Sequence, residues 1–417
     1  MYVGRAAAAA SAASARRDES QAPLASASGV PRRRALRNIL SRALPRTTSG
    51  RLAALGSSPP TSVMLSLLAF SSSYAPSSFR ASAPTRRSRA AIFASGTEEG
   101  AMRLAGGGRH FLHVNDLSPS ELREVLELAK KIKPILKGDA GHSYKPFAGQ
   151  TMSMIFTKPS TRTRVSFESG FFRLGGHALC LGEEIGIGKR EATKDISRVV
   201  ASMNELIMAR LYAHSDILEL ARYSDVPVIN GLTDFNHPCQ IVADALTAEE
   251  VLPDGSLEGK RVVYVGDGNN IVNSWLELAC ILKFDFCCAC PKGYEPDAGL
   301  MEAVAKSGMG TAEIVNDPIA AVAGADVVYA DVWASMGQKE EALAREKIFA
   351  PYQVNEKLMA ATGKDGTIFL HCLPAERGRE TTDGVMESAQ SEVFRQSENR
   401  MHAQNAIMVF CANAPRP

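Results

Sequence analysis

From about Phe111 onward, short apolar runs alternate with longer stretches in which apolar positions recur every three or four residues. The runs read as buried strands and the periodic stretches as amphipathic helices, an alternation that predicts α/β architecture with mainly parallel sheets. A first series predicts a helix over Ser118–Lys133, opened by its Ser cap, then a strand over Thr151–Phe156 and a helix over Thr163–Leu174. It continues with a strand at His177–Leu181, helices around Asp195–Met203 and Ser215–Tyr223, a strand at Pro227–Asn230 and a helix over Gln240–Leu252. After the Pro/Gly-containing break Pro253–Gly259, strands at Arg261–Val265, Asp285–Cys290, Ala325–Tyr329 and Thr367–Leu370 accompany helices at Ser274–Leu282 and Gly299–Ser307. From Glu387 the pattern turns helical again, and this stretch is expected to pack back on the first half. The expected fold is two doubly wound α/β lobes separated by a cleft. In open α/β sheets ligands sit beyond the carboxyl ends of the strands, so those ends are where chemistry is sought.

The first hundred residues do not share this pattern. Between Met1 and Ala94 stand fourteen Arg, no Lys and only two acids, Asp18 and Glu19, in a background of Ala, Ser and Pro. Such a segment reads as a disordered organellar transit peptide, cleaved between Arg89 and Met102, its Ser/Ala richness favouring plastid over mitochondrion. The apolar patch Val63–Phe70 is too short to span a bilayer and too far from the start for a secretory signal. The tail carries +12, and the remaining 33 basic and 43 acidic residues leave the rest of the chain at −10. An acidic folded part argues against a nucleic-acid surface, and nothing in it predicts a membrane partner. The eight cysteines show no paired zinc-type spacing, and Cys287, Cys288 and Cys290 lie in an apolar run, so free thiols are expected.

Several strand ends carry candidate chemistry. In Phe156-Thr-Lys-Pro-Ser160-Thr161-Arg162-Thr163-Arg164 a strand runs into hydroxyls and guanidinium groups where a helix begins. A helix start offers free N–H groups and partial positive charge to an anion, and Arg binds phosphate through a planar fork. Cations there are unfavourable without an anion, so Ser160–Thr163 read as a phosphate site, while Arg164 reads as a structural partner of Glu168 one turn on. Arg210 ends an apolar run, where it either forms a salt bridge or points into the cleft. His237 and Gln240, in Asp234-Phe-Asn-His-Pro-Cys-Gln240, stand at a strand-to-helix turn and can polarise a carbonyl and fix an amide. In the second series Val265-Gly266-Asp-Gly268-Asn269-Asn270 resembles a dinucleotide loop but lacks the third glycine. Asp331-Val-Trp-Ala-Ser335-Met336-Gly337 offers a carboxylate in a loop, and His371-Cys372-Leu373-Pro374 places a thiol at a strand end.

Taken in order from Phe111 to Phe410, these motifs resemble the transcarbamylase family, and its ornithine-using branch in particular. The resemblance implies a carbamoyl-phosphate domain over 109–250, an ornithine domain over 251–390 and a returning helix over 391–417. It implies that Ser160, Thr161, Arg162, Thr163, Arg210 and Arg400 hold carbamoyl phosphate, with His237, Gln240, Cys372 and Leu373 around the carbamoyl group. Asn270, Asp331, Ser335 and Met336 would hold ornithine, and Arg162, Arg210, His237 and Cys372 would be the catalytic set. The implied assembly is a homotrimer, and the chemistry calls for neither metal nor cofactor. One departure stands out: the loop Gly182–Glu191 has Gly186 where the family often carries Gln or another polar side chain. The competing readings are a transcarbamylase for another amine, an NAD-linked dehydrogenase suggested by the turn after Val265, and a non-catalytic phosphate-binding relative.

Overall fold

The computed structural model describes residues 103–139, 143–334 and 342–417. The expected transit segment, residues 1–100, lies outside the described residues, as do Ser335 and Met336.

The first helix, α1 (Pro119–Lys137), starts where its sequence says it should. Ser118 Oγ accepts from the Glu121 N–H (3.2 Å), the Glu121 carboxylate accepts from the Ser118 N–H (2.9 Å), and Pro119 fills the first helical position. Then follow β1 (Thr151–Phe156), α2 (Thr161–Arg173), β2 (His177–Leu181), α3 (Thr193–Ala201), β3 (Leu206–Arg210), α4 (His214–Arg222), β4 (Val228–Leu232) and α5 (Pro238–Val251). The four strands form a parallel sheet in the order β2-β1-β3-β4.

The second series is β5 (Arg261–Val265), α6 (Asn270–Ala279), β6 (Asp285–Ala289), α7 (Ala298–Ser307), β7 (Thr311–Val315), α8 (Pro318–Ala321), β8 (Val327–Ala330), α9 (Ala342–Phe349), α10 (Glu356–Ala360), β9 (Ile368–His371) and α11 (Asp383–Met386). Its parallel sheet runs β7-β6-β5-β8-β9. The last helix, α12 (Val393–Cys411), packs against α5, α1 and α2, which is the expected return to the first lobe. One apolar core runs from α1 and β1 through α5 into α6, β5 and β6, so the lobes share a packed seam.

Each sheet has one point where strand order reverses: between β1 and β3 in the first, and between β5 and β8 in the second. Crevices open at such points. They place Lys158–Thr163 and Arg210 on one side of the cleft and Gly266–Asn270 and Asp331 on the other.

Most predicted elements agree within a few residues, with three differences of consequence, the first being the central strand β3, which the sequence shows only as the apolar run ending at Arg210. The edge strand β7 is absent from the sequence analysis because none of its residues is fully buried and polar Thr311 and Glu313 interrupt it, giving no apolar run. Helix α6 begins at Asn270 rather than Ser274. The Asn pair, read as a turn, is its cap: Asn269 Oδ1 accepts from the N–H groups of Ile271 (2.9 Å) and Val272 (3.4 Å). All eight cysteines are free thiols.

Candidate functional site

A cleft of about 360 Å³ opens between the lobes, lined from the first by Ser160, Thr161, Arg162, Arg210, His237 and Gln240. From the second come Asn270, Asp331, Cys372 and Leu373, with Arg400 reaching in from α12. Thr163 is fully buried directly behind Ser160 and Arg162.

The cationic side is built on the start of α2. Ser160 caps this helix by accepting from the Thr163 N–H at 3.2 Å, and its hydroxyl lies 3.1 Å from Thr163 Oγ1. That same threonine oxygen accepts from Arg400 Nη2 (2.8 Å) and, more loosely, from Arg210 Nη1 (3.4 Å). One buried hydroxyl thus gathers guanidinium groups from β3 and α12 at the helix start. Both guanidinium groups are buried, and the Nε atoms of Arg210 and Arg400 have no partner. Burial pushes the Arg210 pKa down, and the charges of Arg400 and Arg162 push it further. Arg400 is lowered by burial too, with Arg162 adding to it. Lys158, which also lines the cleft, is lowered by burial and by Arg210. Cations held together against their own repulsion, at a helix terminus, mark a place for a multiply charged anion. Arg164 points elsewhere and pairs with Glu168 at 3.2 Å on the surface, as its spacing suggested.

His237 is buried, with Nδ1 unpartnered. Burial first, then Arg400, Arg210 and Lys158, hold its pKa well below the usual 6.5, so the ring is a neutral imidazole. Its backbone is fixed from the other lobe. The N–H of His237 donates to Ser274 Oγ (2.8 Å), and Asn236 Nδ2 donates to Glu277 Oε1 (3.0 Å). The amides of Asn270 and Asn273 donate to the carbonyls of Thr233 (2.9 Å) and Phe235 (2.8 Å). Positions 270, 273, 274 and 277 lie on one face of α6, so a polar stripe at helical spacing grips the loop that carries His237. Asn270 lines the cleft with its amide nitrogen already engaged across the lobe seam.

The opposite side is made of acceptors and weak donors that satisfy one another. Asp331, just past β8, accepts from Asn269 Nδ2 (2.9 Å), from the Val332 N–H (2.8 Å) and from the Cys372 thiol (3.0 Å). Burial and the adjacent Asp331 charge push the Cys372 pKa well above its usual 9, so sulfur keeps its proton and acts as a donor. Leu373 adopts a left-handed backbone (φ 59°), held by its N–H donating to His371 Nδ1 at 2.9 Å. A non-glycine residue in that region at a cleft is an observation that points towards function.

The glycine turn after β5 has a packing explanation. A Cβ on Gly268 would come within 2.5–2.7 Å of the backbone at Tyr294, Glu295 and Pro296, so glycine is required by the neighbouring loop. This accounts for the motif without a dinucleotide. Two contributors to the site were passed over in the sequence: Lys158, inside the quoted motif but given no role, and Asn269, which orients Asp331. Adjacency to the motif was a usable signal for Lys158. None existed for Asn269, whose partner is 62 residues away.

Family models place these features among known proteins. The carbamoyl-P binding domain of aspartate/ornithine carbamoyltransferase matches residues 109–250, and the Asp/Orn binding domain matches 258–411. The chloroplastic ornithine carbamoyltransferase of Pisum sativum is 57% identical over 309 residues, 74% of this chain and 81% of that protein. An anabolic ornithine carbamoyltransferase of Pyrococcus furiosus is 47% identical over 314 residues, 74% of this chain and 98% of the relative. Among solved structures, ornithine carbamoyltransferase from Pyrococcus furiosus matches with a TM-score of 0.68 at 46% identity, covering 73% of this chain and 96% of that one.

Proposed function

Because the chain belongs to the aspartate/ornithine carbamoyltransferase family, we propose a division of labour in which each wall of the cleft holds one substrate. The enzyme transfers the carbamoyl group of carbamoyl phosphate to the δ-amine of L-ornithine, giving L-citrulline and phosphate, a step of arginine biosynthesis. Residues 109–250 form the carbamoyl-phosphate domain, 251–390 the ornithine domain, and 391–417 the helix that returns Arg400 to the first.

In this reading Ser160, Thr161, Arg162, Thr163, Arg210 and Arg400 receive the phosphoryl group, and His237, Gln240, Cys372 and Leu373 surround the carbamoyl group. Asn270 and Asp331, with Ser335 and Met336 of the adjoining loop, hold the amino-acid end of ornithine. The amine must be neutral to attack, because an ammonium has no lone pair. Ornithine therefore enters as the free amine, its ammonium proton already lost to solvent. Once nitrogen has bonded to carbon it carries a second surplus proton, which a protonated Cys372 cannot take and which the departing phosphate accepts as the tetrahedral intermediate collapses. Nitrogen attacks the carbonyl carbon, the carbon–oxygen bond to phosphate breaks, and the neutral His237 ring and the guanidinium groups stabilise charge on the oxygens. The single observation that carries the reading is the gathering of Arg210 and Arg400 on Thr163 behind Arg162, facing Asp331 and Cys372 across the cleft.

The finer readings go with it. The chain acts as a homotrimer in the plastid after loss of its transit segment. The assembly is supported by edge strand β2 and its flank, where Val165, Phe172 and Leu179 leave apolar surface exposed. The plastid address is supported by the pea relative's chloroplastic name together with the Arg/Ser/Ala-rich first hundred residues. A citrulline assay with Arg162→Ala tests the function. The variant is expected to melt like the parent and to lose citrulline formation by at least about 100-fold, the scale of one oxyanion-stabilising donor. Full activity in that variant would overturn the assignment.

A further inference from the structure

Behind the cleft wall lies a buried carboxylate that contacts neither the cation cluster's hydrogen bonds nor the acceptor cluster. Asp244 sits one turn beyond Gln240 on α5 and is fully buried. Its Oδ1 accepts from Gln240 Nε2 at 2.8 Å and from Gln396 Nε2 of α12 at 2.7 Å. Gln396 in turn accepts the His371 N–H on its Oε1 at 2.8 Å, immediately before Cys372 and Leu373. The Tyr329 hydroxyl, on β8 two residues before Asp331, lies 3.2 Å from Gln396 Nε2.

This arrangement fixes a chemical asymmetry. An amide side chain presents a donor at one end and an acceptor at the other, and above about pH 7, the value to which burial raises its pKa, Asp244 is a carboxylate that takes only the donor. With Nε2 turned to Asp244, Gln240 has its Oε1 as the remaining end, buried and without a protein partner, on a residue that lines the cleft. A buried, unpaired acceptor costs free energy until a ligand donor meets it. Through Gln396 the same carboxylate also ties down the strand end bearing Cys372 and Leu373.

Resting on the carbamoyl-transfer reading above, we propose that Asp244 is a positioning residue that sets Gln240 as a hydrogen-bond acceptor, so that the cleft selects an acyl phosphate bearing NH₂ over one bearing CH₃. The phosphoryl group, held elsewhere, contributes nothing to that choice. Carbamoyl phosphate and acetyl phosphate have nearly the same shape, and only the first can donate to Oε1. A site built to bond a polar group rejects the analogue lacking it far more strongly than an apolar pocket discriminates by size.

The test compares carbamoyl phosphate KM, acetyl phosphate inhibition and inorganic phosphate inhibition in the mature enzyme, with citrulline formation as readout. Asp244→Ala frees the Gln240 amide to turn over. Its preference for carbamoyl over acetyl phosphate is expected to fall roughly ten- to hundredfold, while phosphate inhibition changes by no more than about threefold. Asp244→Asn keeps an acceptor at Oδ1 for both glutamines and is expected to hold the parent preference within about threefold. Equal weakening of all three ligands in Asp244→Ala would make Asp244 merely structural and overturn the proposal. If Asp244→Ala does not fold, Asp244→Asn decides alone: a folded variant that keeps the preference supports the proposal, and one that loses it overturns it. Absence of citrulline formation in the parent enzyme would instead sink the functional reading itself.

Discussion

The two walls of the cleft solve opposite electrostatic problems. On the first-lobe wall, guanidinium groups from β3 and α12 lie beside Arg162, their proton affinity depressed by burial first and by neighbouring guanidinium charge second, with two Nε atoms unpaired. On the second-lobe wall, Asp331 is already satisfied by an amide, a backbone N–H and a thiol. The first wall is frustrated until an anion arrives, whereas the second is at rest when empty. Stability and function therefore pull apart on the first wall and coincide on the second. On the proposed assignment, the contrast leads us to expect carbamoyl phosphate to bind first and ornithine second. The dianion relieves the repulsion and brings the carbamoyl group to face Asp331 and Cys372, and only then does the second wall have a reaction partner.

The largest expected effect breaks the first wall. Arg210→Met keeps the buried aliphatic bulk but removes a charge that burial and two neighbouring guanidinium groups oppose. We expect kcat/KM for carbamoyl phosphate to fall by at least about 100-fold, while the ligand-free melting temperature stays level or rises. The rise in melting temperature that phosphate gives the parent should shrink sharply in this variant. A variant that melts well below the parent, with activity lost only in proportion to unfolding, would show that the wall is not frustrated. Asp331→Asn probes the other wall and should be milder, roughly ten- to hundredfold in kcat/KM for ornithine, the scale of a lost charged hydrogen bond. Phosphate inhibition should stay near the parent value. Equal loss towards both substrates would erase the distinction between the walls.

The same contrast explains what was legible in the sequence. The first wall is mostly one contiguous run, Ser160–Thr163 at a strand-to-helix turn, and local physics alone marks it as an anion site. The second wall is assembled from positions 269, 331 and 372, on three different strand ends, and only the family resemblance drew Asp331 and Cys372 together. Asn269 stayed hidden because an Asn pair after Gly-Asp-Gly has the composition of a turn. The stripe on α6 was lost with it, since starting the helix at Ser274 removes Asn270 and Asn273 from the face they share with Glu277. Asp244 and Gln396 were invisible for another reason. A buried polar residue inside an apolar helix has no local signature, and its meaning comes from a partner 152 residues away. Gly186 is left-handed (φ 67°), and a Cβ there would meet Arg190 Cβ at 2.9 Å, so the loop in this conformation favours glycine.

The smallest expected effect sharpens the second wall. If Cys372 were the base that frees ornithine's amine, its pKa would have to lie near the working pH, and a hydroxyl in its place would be crippling. Burial and Asp331 instead push the thiol well above 9, and its hydrogen points at the carboxylate. For an acid whose pKa is raised in the fold, the neutral form prevails at every pH below that raised value. No thiolate limb should therefore appear in the rate between pH 6 and 9. Cys372→Ser keeps a donor towards Asp331 and should cost no more than about tenfold in kcat, whereas Cys372→Ala leaves Asp331 Oδ1 with the Val332 N–H alone and should cost more. The apparent pKa of the ornithine pH–rate profile should be the same in Cys372→Ser as in the parent. A limb that moves or vanishes with the sulfur would restore the thiol as a base and make the second wall a proton acceptor rather than a resting scaffold.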